Sequence, residues 1–101
     1  MIDKDRILKK ALNHYGHSNQ LIKAMEELGE LNQALAKQLV AESATEMLKA
    51  RRPIVEELSD CEIMFDQIKM IFDIKPVEIE KQKEYKLARL NARIDDDGES
   101  D

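Results

Sequence analysis

A chain of 101 residues and 11.7 kDa has room for one hydrophobic core and not two. It is 43% hydrophobic, 37% charged and only 4% aromatic, with three Gly and two Pro, which points to an all-α domain and excludes a sandwich or barrel. Of the net charge of −5, residues 95–101 hold five acids and no base, so residues 1–94 are neutral, a balance that argues against a nucleic-acid polymer as partner.

Along the chain, apolar residues recur at helical spacing in four stretches. The first runs over about residues 3–13 through Ile7, Leu8, Ala11 and Leu12, and Tyr15-Gly16 supplies its stop. A second spans about 18–40, with Ser18 as N-cap and Leu21, Met25, Leu28, Leu31, Leu35 and Leu39 as its stripe. Residues 41–52 lack such a stripe and read as a connection with some helix, ending at Arg51-Arg52 before Pro53. Pro53 suits the first turn of a third helix, 53–72. Pro76 likewise opens a fourth, to about 94, with a thinner stripe of Val77, Ile79, Leu87, Leu90 and Ile94. The expected organisation is one helical domain over 1–94, four-helix-bundle-like, followed by an acidic, disordered and solvated tail over 95–101. Cys61 stands alone and has no internal disulfide partner. There is neither an N-terminal apolar run nor a twenty-residue apolar span, so the expectation is a cytoplasmic protein with no membrane partner.

The chemistry is concentrated in a near-repeat, Glu26-Glu27-Leu28-Gly29-Glu30 on the second helix and Glu56-Glu57-Leu58-Ser59-Asp60 on the third. At 3.6 residues per turn, Glu27 and Glu30 share a helix face, as do Glu57 and Asp60. If the two helices pack antiparallel, the four carboxylates can converge. Glu27 flanks the apolar arc of its helix, and Glu57 falls within the arc formed by Ile54, Cys61, Met64, Phe65, Ile68 and Phe72. An inward carboxylate is costly without a cation. Only Lys23 is in reach on the Glu27 side. All-oxygen ligands without nearby His or Cys favour Mg²⁺, with Mn²⁺ as a substitute. The Glu-x-x-His pattern of di-iron bundles is absent, since His14 and His17 have no Glu at that spacing. Mg²⁺ held by a few carboxylates typically also binds substrate phosphates, so a nucleotide is the natural substrate class.

Glu27-x-x-Glu30 and Glu57-x-x-Asp60, with 26 residues between Glu30 and Glu57, resemble the ExxE…ExxD arrangement of the MazG-like, all-α nucleoside triphosphate pyrophosphohydrolases. The surrounding strings, residues 25–31 and 55–60, carry the likeness further, and it spans roughly residues 15–94. The resemblance implies hydrolysis of a (d)NTP to (d)NMP and pyrophosphate, with Glu27, Glu30, Glu57 and Asp60 as Mg²⁺ ligands. It also implies a homodimer or homotetramer sharing a helical core. Glu26 or Glu56 would orient the attacking water as base. A looser likeness continues through residues 86–93.

The basic residues of the fourth helix, Lys81, Lys83, Lys86, Arg89 and Arg93, would contact phosphates if that helix crosses the mouth of the acid cluster. A solvated helix face is the competing reading. Gln20 lies on the Glu27 side two turns upstream, about 10 Å away, where an amide can read a base edge; His14, Tyr15, His17 and Asn19 are its neighbours. Ile63 and Met70 fall opposite the main stripe of the third helix, an additional reason to expect oligomerisation. The alternative function is a non-catalytic helical dimerisation or interaction protein, and a further one is a nucleotide binder that does not hydrolyse.

Overall fold

The computed structural model describes residues 1–99, and among them it contains four helices and no strand: α1 (Lys4–Tyr15), α2 (His17–Leu39), α3 (Ala44–Ile71) and α4 (Pro76–Glu99). The all-α expectation holds. Asp3 caps α1 by accepting from the Arg6 N–H at 3.2 Å. Gly16 both ends α1 and begins α2, at φ +89°, a left-handed conformation that glycine adopts without a Cβ penalty. The cap of α2 is therefore Gly16 rather than Ser18, and the helix starts at the first residue after the corner.

The connection expected at 41–52 is mostly helix, and Pro53 lies inside α3 rather than at its start. Ser43 Oγ accepts the Glu46 N–H at 3.1 Å, while Glu46 Oε2 accepts the Glu42 N–H at 2.6 Å. This reciprocal capping starts the helix ten residues before Pro53. The signal was present in Ser43-Ala-Thr-Glu46. Pro53 then removes one helical N–H from α3.

The fold is organised by the α2–α3 hairpin. Gln20 meets Gln67 and the Glu27 carbonyl meets Cys61, so the helices run antiparallel. Between them α2 contributes Gln20, Ala24, Glu27 and Ala34, all buried, and α3 contributes Cys61, Met64 and Gln67. Small alanines bring the helices together, and α1 lies across the hairpin with Leu8 buried.

This packing corrects the placement of the leucine stripe. Met25, Leu28, Leu35 and Leu39 on α2 are exposed, as are Leu58, Phe65 and Phe72 on α3; Ile63 is exposed too, while Met70 is half-buried. On each helix the exposed stripe is rotated about 100° from the packed face in the same sense along the chain. Because the helices are antiparallel, equal rotations bring both stripes to the same side of the hairpin. The result is one continuous apolar face.

After a turn containing Asp73 at φ +51°, α4 packs against none of the other three helices. The described chain measures 53 × 38 × 29 Å with a radius of gyration of 17.8 Å, against about 13 Å for a compact chain of this length. Residues 95–99, expected to begin a solvated tail, continue α4. Ser100 and Asp101 lie outside the described residues. Among the described residues no helix is long and apolar enough to cross a membrane.

Candidate metal centre and adjoining groove

Antiparallel packing brings the two acidic strings face to face. One oxygen each from Glu27, Glu57 and Asp60 lies within 4.8 Å of the others. Across the hairpin Glu30 lies close to Glu57, and Glu27 close to Asp60. The leading acid of each string thus meets the trailing acid of the other. Glu27 is 6% exposed, Glu57 half-buried and Asp60 exposed.

The electrostatics are unbalanced. Glu27 Oε1 is ion-paired with Lys23 Nζ at 3.0 Å, whereas Glu27 Oε2 and Glu57 Oε2 are buried with no hydrogen-bond partner. Burial pushes the Glu57 carboxyl above its ordinary range, and the charges of Glu30, Asp60 and Glu27 push it further. Burial and Glu27 raise Asp60, with Lys23 opposing. The Lys23 ammonium is itself raised, first by its hydrogen bond to Glu27. Cys61, 1% exposed, donates its thiol to the Glu27 carbonyl at 3.4 Å, and burial followed by the nearby acids raises it as well.

These donors fit a hard divalent cation. All are carboxylate oxygens, converging from two rigid helices, and two of them are buried orphans that a cation would satisfy. Glu27, Glu57 and Asp60 form the nucleus. Glu30 approaches through Glu57.

The other expected site residues divide. Glu26 stays at the cluster's edge, exposed, 4.0 Å from Lys23. Glu56 turns outward to Arg52 at 3.3 Å, because i, i+4 pairing on α3 gives it a cation in solvent. Gln20 is 8% exposed and lines an open groove of about 520 Å³ together with Tyr15, Asn19, Ile22, Lys23, Glu26 and Met64. That groove abuts the acids through Lys23 and Glu26. His14 stacks edge-on against Tyr15, their ring centroids 4.6 Å apart, and His17 opens α2; neither lines the groove.

The basic residues of α4 are not brought to the acids within one chain. Lys83 pairs with Glu80 at 3.7 Å, Arg89 lies over the Tyr85 ring at 5.7 Å, and Lys86, Arg89 and Arg93 line a shallow depression with Leu90.

Sequence reasoning did not single out Gln67. It is 1% exposed, donates to the Leu8 carbonyl at 2.8 Å and accepts from Gln20 Nε2 at 3.1 Å. Its signal was a glutamine between Met64 and Ile68, within an otherwise apolar arc. The chain matches no protein-family model, no curated protein and no solved structure.

Proposed function

We propose that this protein is a Mg²⁺-dependent nucleotide pyrophosphohydrolase of the MazG-like kind, cleaving a (d)NTP to (d)NMP and pyrophosphate. One observation carries the reading: three carboxylate oxygens within 4.8 Å of one another, with two buried carboxylate oxygens unpartnered and only Lys23 ion-paired to the cluster among the described residues. Glu27, Glu57 and Asp60, joined by Glu30, would hold the metal, and Mn²⁺ satisfies the same donors. Bound there, a divalent ion neutralises the phosphates and acidifies a water. The reaction adds water across the bond between the α and β phosphates, and its two protons leave on the products or to solvent.

The protein's own groups do the rest. Glu26, exposed at the groove's edge, is placed to accept a proton from the attacking water, a role that the Arg52-paired Glu56 fits less well. Lys23 stands between the groove and the acids, where its ammonium meets a phosphate oxygen. The groove receives the nucleoside about 10 Å from the acids.

The apolar face formed by α2 and α3 belongs, in this reading, to a second copy of the chain. Leu28, Leu35, Leu58 and Phe65 lie on one side of the hairpin and are self-complementary under a two-fold axis, which yields a four-helix core from two hairpins. In such a dimer the detached α4 is free to carry Lys86, Arg89 and Arg93 toward the partner's acids. With its thiol free, the chain is assigned to the reducing cytoplasm.

The test is incubation with Mg²⁺ and each nucleoside triphosphate, with pyrophosphate and orthophosphate assayed separately. Pyrophosphate and monophosphate in equal amounts are expected. No pyrophosphate from any nucleotide sinks the proposal. The exposed apolar face also suits a non-catalytic dimerisation protein, and a metal titration separates the two, since only a carboxylate site raises Tm specifically with Mg²⁺ or Mn²⁺.

A further inference from the structure

We infer that the groove beside the acids selects nucleobases bearing an exocyclic amino group, cytosine and adenine, over their keto counterparts. The inference rests on the pyrophosphohydrolase reading and adds the part of the substrate which that reading leaves open.

The argument starts from a backbone carbonyl, which only accepts hydrogen bonds. Gln67 must turn its NH₂ group toward the Leu8 carbonyl, and does so at 2.8 Å. Its Oε1 is therefore directed at Gln20, whose NH₂ group must turn inward to meet it at 3.1 Å. Gln20 is more than nine-tenths buried and lines the groove, so the end left for a ligand is its Oε1, which makes no hydrogen bond to protein among the described residues. The polarity of Gln20 is fixed by a relay anchored in α1, two amides away.

Asn19 repeats the logic independently. Its Nδ2 donates to the Tyr15 carbonyl at 2.8 Å, again a backbone acceptor, so its Oδ1 is the end left over. The groove thus offers two amide oxygens and the Glu26 carboxylate as acceptors, beside the Tyr15 hydroxyl, which can donate or accept, and the second N–H of each amide. The charged donor at the groove, Lys23, is held by Glu27 at 3.0 Å and Glu26 at 4.0 Å. Tyr15, Ile22 and Met64 supply apolar walls for a flat ring. A 4-amino or 6-amino group donates to such a site. A 4-keto or 6-keto oxygen in the place of that amino group meets an acceptor with an acceptor, and the neighbouring ring N–H of the keto base reaches the amide oxygen only if the ring shifts.

The experiment compares near-isosteric pairs differing at that group, dCTP against dUTP and ATP against ITP, by kcat/KM for pyrophosphate release with Mg²⁺. The amino member is expected to be favoured roughly 10- to 100-fold in each pair, the scale of a mismatched polar contact in a desolvated site. Gln20 is the specificity-determining residue and Gln67 a positioning residue. Gln20→Ala therefore brings the ratio near unity. Gln67→Met, which frees the Gln20 amide to turn, lowers the ratio as well, and a purely structural loss would reduce both substrates alike. Because the wild-type ratio is read without any variant, the test survives a Gln67 variant that fails to fold. Equal use of both members, or preference for the keto base, overturns the inference and leaves the hydrolase reading standing. Absence of pyrophosphate from all four nucleotides overturns that reading and takes this one with it.

Discussion

The α2–α3 hairpin and α4 are both long amphipathic helical segments, yet they meet opposite fates. The hairpin is held by a narrow seam of alanines, glutamines, Cys61, Met64 and one acid, Glu27, whereas α4 leaves Val77, Leu87, Leu90 and Ile94 exposed and touches no other described helix. Chemistry divides the same way. Acids converge in the hairpin, where two helices fix them rigidly; bases are spread along α4, where nothing within the chain does. A periodic apolar stripe states that a helix requires cover but does not name the cover. In the hairpin, close approach is made by small side chains, and the bulkier leucines are left exposed.

The sharpest way to test this division is to neutralise one acid of the cluster. Glu57→Gln should reduce turnover by at least about 100-fold, more than outer-sphere ligand changes typically cost, with the helical circular dichroism retained. It should also abolish the Mg²⁺-dependent rise in Tm. Retention of full activity would remove Glu57 from the site and leave the hairpin no more functional than α4.

Next in size is the apolar face. Leu35→Glu, combined with Phe65→Glu, places four like charges in a two-fold interface and should convert a dimer to monomer by light scattering at micromolar concentration. A wild-type chain that is already monomeric would refute the shared core. For α4, replacing Lys86, Arg89 and Arg93 with Ala should raise KM roughly tenfold while changing Tm by no more than a degree or two, as expected for exposed residues off the core. An unchanged KM would make the basic stretch a solvated face.

The acids predict a pH dependence with a definite sign. Glu57 and Asp60 are raised above their ordinary values of 4.5 and 3.8, so between those values and the raised ones the folded metal-free chain binds more protons than the unfolded chain. Stability in EDTA should therefore fall as pH rises through that window, relative to a Glu57→Gln, Asp60→Asn double variant. Mg²⁺ should cancel the loss, since the metal binds the ionised form. Parallel pH profiles for the two proteins would contradict it. The smallest effect is expected at the start of α3, where Ser43→Ala should cost about 1 kcal/mol in a denaturant melt and leave activity intact.

The helical class and the meeting of Glu27, Glu57 and Asp60 were legible because each follows from a period: 3.6 residues for the stripes, and three residues for acids on one face. Lys23 was legible for the same reason. Other features required information that a period does not carry. Pro53 suggested a helix start, but Ser43 and Glu46 had already capped one upstream, and a continuing helix overrode the proline. The inward face of α2 was misplaced by about 90° because hydrophobicity ranks leucine above alanine, while close helix packing selects the reverse. The Gln67 relay depends on three elements meeting in space, and only the folded chain displays it. The bases of α4 share a helix face by their spacing, but that spacing says nothing of where the helix packs, and α4 packs on none of the other described helices.

The crossed pairing of the two acidic strings has its own consequence. Glu27 facing Asp60 and Glu30 facing Glu57 relate the strings by a local dyad perpendicular to the hairpin axis. Inserting a single residue between Glu27 and Glu30 turns one acid about 100° away from the other, so the two crossed pairs cannot both be kept. The same insertion in the connection between α2 and α3 leaves the strings free to realign. The constellation is thus brittle to length changes inside either four-residue string and forgiving of them in the loop that joins the rods.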